Sequence, residues 1–209
     1  NESLQHPSIL SRLPQTGQLH REHLQLLAEN LYQKNTELEK ANERLRNVSL
    51  TDGLTGLNNR RGFMILATGL LKFARRAGYS LCLLYIDLDS LKYINNTFGH
   101  IAGDTAITHF ARILTETFRD SDVIGRMGGD EFVILLIDAT ASDITGMQAL
   151  LQSNVDAHNL QTGRDYALSF SLGVIQVNMN STETMETLLA LADTEMYKHK
   201  RARKDKTGS

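Results

Sequence analysis

Acidic side chains stand where apolar stretches of the chain begin or end. The apolar run Leu81–Ile86 leads to Asp87 and Asp89, and the segment Gly128–Glu131 places two more acids before a second apolar run. Clustered carboxylates repel one another and are costly unless a cation neutralises them. Oxygen ligands without His or Cys nearby favour Mg²⁺ or Mn²⁺ over zinc. Two such ions beside a triphosphate can activate a 3′-hydroxyl and stabilise the leaving pyrophosphate.

A simpler interpretation is that Asp89 and Asp130 only form turns. For any single acid the two interpretations compete. Because all of these acids stand at the ends of predicted buried strands, we favour the ion-binding interpretation. The pair Gly128-Gly129 adds to it, since glycine lets a phosphate or a base approach the backbone closely.

The order of the elements is expected to bring these acids together. The hydrophobic patterns predict four strands, at Leu81–Leu88, Asp122–Met127, Phe132–Ile137 and Tyr166–Val177. They also predict helices that end at Arg76 and that cover residues 104–118, 144–158 and 184–200. This β-α-β-β-α-β core, with a further helix, indicates an α+β protein with a ferredoxin-like palm, whose antiparallel central sheet is flanked by helices. In that topology the first and third strands are neighbours, so the acids at their ends can meet.

A long helix precedes the palm. Leu24, Leu31, Leu38 and Leu45 recur at intervals of seven, which predicts a coiled-coil helix over residues 21–48. A single amphipathic helix packed on its own domain is the alternative. Residues 1–20, which contain both prolines, are interpreted as a linker or the end of a missing upstream domain. Residues 49–205 form the predicted catalytic domain, and 206–209 a disordered tail.

Composition narrows the possible partners. The 209 residues are 41% hydrophobic and 22% charged and carry a formal net charge of −2, so the chain is no polycation for nucleic acid. Residues 198–206 hold six basic residues against one acid, which suggests local phosphate contact. No apolar run is long enough to cross a membrane within this fragment. A start at Asn1 instead of Met predicts a piece of a longer protein, and the single Cys82 fits a reducing compartment.

Four blocks of the sequence together resemble one known family. Gly128–Phe132 spells the motif of the GGDEF family, the diguanylate cyclases. Asp52–Arg61 resembles the family's opening D-x-L-T-G-L-x-N-R-R, and Asp87–Asp104 resembles its D-x-D-x-F-K-x-x-N…G-H…G-D segment. Ala192–Lys200 resembles its A-D…L-Y…K ending. Since the blocks follow the family's order over residues 50–204, the chain is identified as a member.

The resemblance implies a reaction and its cofactors. Two GTP molecules condense to cyclic di-GMP with release of two pyrophosphates, and each protomer of a homodimer holds one GTP. Asp87, the Leu88 carbonyl and Asp130 are implied ligands of two Mg²⁺ or Mn²⁺ ions per active site. Asp130 or Glu131 is the implied base for the 3′-hydroxyl, and the sequence does not separate their roles. Lys92 is implied to stabilise phosphate charge.

The resemblance also implies contacts to the substrate. These are assigned to Asn95, His100, Asp104, Gly128, Gly129, Lys200 and Lys204. A carboxylate at 104 accepts from the N1 and N2 donors of guanine, which adenine lacks, so Asp104 fits a guanine nucleotide. The helix ending departs from the family pattern: Lys204 stands in place of Arg and loses the bidentate fork, and Arg203 stands in place of Gly.

A second site is implied just before the hairpin. Arg119 and Asp122 match the family's R-x-x-D inhibitory site, where product binds and holds protomers apart. Arg addresses guanine O6 and N7 and Asp takes the N1/N2 edge. The alternative interpretation is an Arg–Asp pair at a helix end with little energetic value.

The predicted function is therefore a diguanylate cyclase with product inhibition, whose coiled coil and facing active sites form the homodimer under control of an upstream sensor domain. The family implies a cytoplasmic location. One alternative is an inactive domain that binds GTP or cyclic di-GMP as an effector module, which would not need Asp87, Lys92 and the intact Gly128–Phe132 motif. Another is synthesis of a hybrid cyclic GMP-AMP, against which Asp104 argues.

Overall fold

The computed structural model describes residues 23–37, 39, 50–139, 141–163 and 165–207, and divides the chain into two units, 1–49 and 50–209. In the first unit, residues 23–37 form helix α1. Leu24, Leu27 and Leu31 are 54%, 46% and 66% exposed there. Leu38 and Leu45 of the heptad repeat lie outside the described residues, so pairing of this helix and the predicted boundaries of the chain's segments stay predictions.

The second unit is built on a five-stranded sheet. Its strands are β1 (Asn58–Asn59), β2 (Leu81–Leu88), β3 (Val123–Gly128), β4 (Glu131–Ile137) and β5 (Phe170–Gln176). They lie in the order β1-β3-β4-β2-β5, and all neighbours are antiparallel except the short β1–β3 pair. The first and third strands of the predicted core, β2 and β4, are indeed neighbours. The ferredoxin-like palm predicted from the sequence is therefore confirmed.

Helices cover both faces of the sheet. They are α2 (Arg60–Ala77), α3 (Leu91–Phe98), α4 (His100–Thr117), α5 (Ala141–Thr162) and α6 (Met185–Thr207). Buried side chains of α3, α4 and α5 pack on one face, and those of α2 and α6 pack on the other. Because side chains alternate along a strand, Leu83 and Tyr85 of β2 face α2 and α6, while Leu84 and Ile86 face the other helices.

Helix α6 approaches the sheet unusually closely. A Cβ atom at Gly173 of β5 would collide with the carbonyl oxygen of Ala192 and the backbone nitrogen of Met196. Only glycine allows this approach, which lets α6 lie directly on the strand. One turn after Met196, the helix presents Lys200 at the end of β2.

The structure departs from the sequence predictions in several places. Helix α3 was not predicted, because its eight residues bury only Leu91 and Ile94 and so show little periodicity. Gly99, with φ of 87°, separates it from α4, which begins at His100 instead of residue 104. These two helices carry the residues assigned to the base of the nucleotide.

Strand β5 is shorter than predicted and helix α6 is longer. The side-chain amide of Asn159 donates to the Leu168 carbonyl and accepts from the Leu168 N–H. Before Phe170, the backbone therefore bonds to this side chain and not to a neighbouring strand. Helix α6 continues past Arg203 to Thr207, two residues into the predicted tail, while residues 208 and 209 lie outside the described part. Within the described residues, no helix combines the length and apolarity that a membrane crossing requires.

Candidate active site

The end of strand β2 carries a buried carboxylate paired with a cation from α6. Asp87 is 7% exposed, and its Oδ1 accepts a hydrogen bond from Nζ of Lys200 at 2.5 Å. Burial raises the pKa of Asp87; the hydrogen bond from Lys200 opposes this, and the charges of Asp130 and Asp89 add to it. Three carboxylates, those of Asp87, Asp89 and Asp130, therefore lie near the single positive charge of Lys200 that acts on Asp87.

Lys200 is the counter-cation of the whole cluster. Burial acts to lower its pKa, but the hydrogen bond to Asp87 and the charges of Asp87, Asp130 and Asp89 raise the pKa above its ordinary value. Lys200 thus stays protonated at neutral pH. A permanent ammonium group beside three carboxylates is suited to compensate charge on a bound phosphate.

The hairpin between β3 and β4 brings two further acids to this end of the sheet. Glu131 lies directly opposite Asp87 in the antiparallel pair, and the Leu88 N–H donates to the Asp130 carbonyl at 2.9 Å. Sequence reasoning predicted this meeting of acids. Gly128 and Gly129 of the turn have φ of 145° and 52°, a backbone region that favours glycine.

Tyr85 holds one oxygen of Glu131. Its hydroxyl donates to Oε2 of Glu131 at 3.1 Å. Burial raises the pKa of the phenol, and the charges of Glu131 and Asp193 raise it further. Sequence reasoning missed this contact, because a tyrosine within an apolar strand is typical of a core residue.

A cavity of about 520 Å³ opens over these groups. It is lined by Asp87, Glu131, Asp193, Met196, Tyr197, Lys200 and Arg201. Two acids of the strand ends and two basic residues of α6 thus share one space. Its volume lies in the range of small-molecule sites in proteins.

The donor chemistry of this site fits a hard divalent cation. Asp87 and Asp130 carry carboxylate oxygens, and no His or Cys is among the groups that shift the pKa of Asp87 or Lys200. In the described residues, no group of three or more His, Cys, Asp or Glu side chains is arranged to hold a metal ion by itself. Mg²⁺ is commonly bound by one or two carboxylates together with substrate phosphates, so two acids suffice when a phosphate completes the shell.

The other predicted substrate residues lie on α3 and α4. A Cβ at Gly103 would collide with Oδ1 of Asn95, so the Asn95 side chain lies against α4 beside Asp104. Asn95 therefore contacts the residue that precedes Asp104, whose own side chain is exposed. His100 is the exposed first residue of α4, and Lys92 is exposed in the first turn of α3.

Two further candidate residues are Lys204, predicted to contact the substrate, and Asp89, one of the clustered acids. Lys204 lies in the last turns of α6, and its side chain lies outside the part of the chain that the structure describes. Asp89 accepts a hydrogen bond from the buried Ser171 hydroxyl at 2.8 Å. Ser171 therefore holds Asp89 toward β5.

An ion pair that the sequence did not predict supports the hairpin. Arg126 donates from Nη1 to Oδ1 and Oδ2 of Asp52 at 3.0 and 3.2 Å, and from Nε and Nη2 to the Gly129 carbonyl at 3.1 and 2.7 Å. We call these contacts the hairpin clamp. The N–H and hydroxyl of Thr55 also donate to Asp52. Nothing in local spacing reveals a pair 74 residues apart, although both partners stand within or beside recognised motifs.

The predicted inhibitory residues form a turn at the start of β3. Asp122 accepts from the N–H of Arg119 at 3.0 Å and from the N–H of Ile137 at 3.4 Å. Burial raises the pKa of Asp122, while these backbone bonds act in the opposite direction. Arg119 is exposed beside it. The Asp122 carboxylate thus accepts from two backbone N–H groups, while the Arg119 side chain faces solvent.

Comparison with known proteins identifies the family of this arrangement. Residues 49–206 match the family described as "Diguanylate cyclase, GGDEF domain". The chain is 35% identical over 176 residues to the probable diguanylate cyclase DgcC of Escherichia coli K12, covering 84% of this chain and 47% of that protein. It is 34% identical over 166 residues to the diguanylate cyclase DgcP of the same strain, covering 79% and 48%. This chain thus spans about half the length of these curated relatives.

A solved structure shows the same fold. The GGDEF domain of DgcB from Caulobacter crescentus, crystallised in complex with c-di-GMP, superposes with a TM-score of 0.68 at 28% identity. The match covers 74% of this chain and 91% of the DgcB chain. With the family matched over most of its length and the acids gathered at the hairpin, the chain belongs to the GGDEF domain family of diguanylate cyclases.

Proposed function

We propose that this chain is an active diguanylate cyclase that condenses two GTP molecules to cyclic di-GMP and two pyrophosphates. The observation that carries the proposal is the convergence of Asp87, Asp130, Glu131 and Lys200 at one end of the sheet, with a cavity beside them. Named diguanylate cyclases that are about 35% identical over most of this chain support the same conclusion.

The base of the nucleotide is read by α3 and α4 in this proposal. Asp104 and Asn95 bind the guanine edge, and His100 lines the same pocket. Asp104 accepts from guanine N1–H and N2–H₂, and an adenine would leave that carboxylate without its donors. The packing of Asn95 against Gly103 supports a shared site for the two side chains.

The phosphates lie between the hairpin and α6. The open space around Gly128 and Gly129 leaves their backbone accessible to a phosphate. Lys200, Lys204 and Lys92 balance phosphate charge, and Lys200 exchanges its contact with Asp87 for one with phosphate. Asp130 or Glu131 takes the proton from the 3′-oxygen, which attacks the α-phosphorus of the GTP held by the partner protomer.

Asp87, Asp130 and the Leu88 carbonyl would hold two Mg²⁺ or Mn²⁺ ions, which supply charge stabilisation at the attacking and leaving oxygens. The hard oxygen donors and the excess of negative charge around Asp87 support this assignment. The proposal further includes a cytoplasmic homodimer, formed through the coiled-coil helix and the facing active sites, under an upstream sensor domain. Holding two half-sites together raises their effective concentration.

Incubating the purified chain with Mg²⁺ and GTP, with and without ATP, and identifying products by mass, tests the function. We expect cyclic di-GMP and pyrophosphate. Cyclic di-GMP that binds without any turnover of GTP would favour an effector module, and a mixed product from GTP with ATP would favour the hybrid cyclase. The catalytic assignment fails in either case.

We further propose that Arg119 and Asp122 form a product-binding inhibitory site. Cyclic di-GMP should then inhibit its own synthesis noncompetitively with GTP, and Arg119→Ala should weaken that inhibition at least about tenfold, because a charged contact to the product is removed. Turnover without added product should stay at the wild-type level. Initial rates at increasing cyclic di-GMP measure this.

Arg112→Ala is the matched control for the inhibitory site. Arg112 is an exposed arginine of the preceding helix α4, where it pairs with Glu116. Its loss should leave product inhibition unchanged. Wild-type inhibition in Arg119→Ala would reject the site and leave Arg119 and Asp122 as a turn-forming pair.

A further inference from the structure

One polar atom projects from the otherwise apolar middle of strand β2. The run Leu81–Ile86 contains Leu, Cys and Ile side chains and the single Tyr85, whose ring is buried between the sheet and helices α2 and α6. A buried phenol needs a hydrogen-bond partner. Its partner is Oε2 of Glu131 at 3.1 Å.

The contact is a diagonal across two strands. In the β2–β4 register, Tyr85 lies opposite Val133 and Asp87 lies opposite Glu131. Side chains two residues apart on one strand share a face, so Tyr85, Asp87 and Glu131 all lie on the α6 side. The bond therefore reaches from the packed core to an acid at the edge of the active-site cavity.

The two ends of this contact differ in how firmly they are held. Tyr85 is 9% exposed, and its ring is fixed by a core that includes Phe63, Val133 and Met196. Glu131 follows immediately after Gly129 and Asp130 of the turn and lines the cavity of about 520 Å³. A rigid donor holding a carboxylate at the start of a strand restricts the rotamers of that carboxylate.

Behind Tyr85 lies a second cavity of about 450 Å³, which Tyr85 and Asp193 both line. Asp193 also lines the active-site cavity, so Tyr85 and Glu131 stand between two neighbouring spaces. Glu131 itself is only half-buried, so the bond to Tyr85 restrains a side chain that packing leaves partly open.

We propose that Tyr85 is a positioning residue, which holds Oε2 of Glu131 and leaves Oε1 in a fixed place for the reaction. This inference rests on the proposed cyclase activity, in which Asp130 or Glu131 takes the proton of the 3′-hydroxyl. Fixing one oxygen matters because a displacement of about 1 Å of a reacting group lowers the rate on the order of a hundredfold. Tyr85 acts through Glu131 and does not touch the substrate itself.

Tyr85→Phe tests the inference, since it removes the hydroxyl and keeps the packed ring. We expect kcat to fall about tenfold while KM for GTP stays within about twofold, because positioning affects the reacting state more than binding. Thermal unfolding should remain close to that of the wild type. Tyr79→Phe is the matched control: Tyr79 stacks on Phe73 at 5.9 Å and is exposed, and its hydroxyl should be dispensable.

A second measurement does not depend on activity. Crystal structures of the wild type and of Tyr85→Phe should show Glu131 in one rotamer in the first and spread over several in the second. An unchanged kcat in Tyr85→Phe, or the same single Glu131 rotamer in both crystals, would overturn the inference. A wild-type chain that makes no cyclic di-GMP would instead overturn the proposed function, and the crystallographic comparison would still decide the role of Tyr85.

Discussion

Two aspartates of this domain are each paired with a cation, but the pKa of one is lowered and the pKa of the other is raised. Asp52 accepts from Arg126 at 3.0 Å, and Asp87 accepts from Lys200 at 2.5 Å. Asp87 is the more buried carboxylate, with 10% of its side chain exposed against 23% for Asp52, whereas Lys200 is more exposed than Arg126, at 26% against 11%. Burial therefore contributes to the difference, and so do the groups around each carboxylate.

The carboxylate of Asp52 is fully matched by donors. Burial acts to raise its pKa, but the hydrogen bonds from Thr55 and Arg126 and the charge of Arg126 lower the pKa below its ordinary value. The charged form is thus the favoured one. Such a pair stabilises the fold and ties the hairpin to the start of the domain.

The charged form of Asp87 is disfavoured even though the carboxylate pairs with Lys200. Its pKa is raised by burial and by Asp130 and Asp89, against the hydrogen bond from Lys200. A cluster with more acids than its cation neutralises is typical of sites that take a further positive charge or a ligand. The contrast supports the proposal that the Asp87 pair serves chemistry at some expense of stability, whereas the Asp52 pair stabilises the fold.

Asp87→Asn should have the largest effect of the changes considered. We expect cyclic di-GMP synthesis to fall on the order of a thousandfold, because a charged carboxylate proposed to bind the metal ions becomes a neutral amide. The raised pKa means that Asp87 contributes stability when protonated and loses that contribution as pH rises through its folded pKa, above 3.8. At neutral pH the variant should therefore unfold at the same or a higher urea concentration than the wild type.

Asp156→Asn is the control for this comparison, since Asp156 is exposed on α5 and accepts only a local bond from Gln152. Product formation should be unaffected by it. If Asp87→Asn lost stability at neutral pH and kept its activity, the contrast between the two aspartates would be reversed.

Lys200→Gln should have the next largest effect. It removes the cation shared by Asp87, Asp130 and Asp89, and with it a predicted phosphate contact. We expect kcat/KM to fall about thirtyfold, mostly through KM for GTP. Lys198→Gln, two residues earlier on the same helix, removes a lysine paired with Glu195 in solvent and should leave the kinetics unchanged. Equal effects of the two substitutions would mean that Lys200 contributes only general charge.

The sequence predicted this site because it lies where regular elements end. The apolar runs of β2 and β4 define the strands, and the β-α-β-β order makes them neighbours, so Asp87 and Glu131 are opposite each other. Only the general position follows from this reasoning. The sequence pattern predicts Lys200 as a phosphate ligand, and it does not predict that Lys200 is the counter-ion of Asp87.

The parts that sequence reasoning missed depend on long-range side-chain contacts. Arg126 and Asp52 are 74 residues apart, and the partner of Tyr85 lies 46 residues away. Helix α3 was missed for a different reason, since two buried residues give too weak a pattern. Periodicity reports burial, and it carries no information on which polar atoms meet.

The smallest expected effect concerns the hairpin clamp and its dependence on pH. Asp52→Asn removes the charge that Arg126 and Thr55 face, and at pH 7 we expect the free energy of unfolding to fall by about 1 kcal/mol. Because the folded pKa of Asp52 lies below its ordinary value of 3.8, the wild-type advantage is present above pH 3.8 and is lost as pH falls through the folded pKa. Urea unfolding of both proteins between pH 7 and pH 3 measures this.

Glu116→Gln supplies the matched control for the clamp. Glu116 forms an exposed pair with Arg112 at 3.6 Å, so its loss should change the free energy of unfolding by only a few tenths of a kcal/mol. A penalty for Asp52→Asn that stays constant down to pH 3 would mean that packing stabilises this region instead of the charged carboxylate and its donors. The Asp52 pair would then no longer be the structural counterpart of the Asp87 pair, since the contrast requires that its charged state be the one that stabilises the fold.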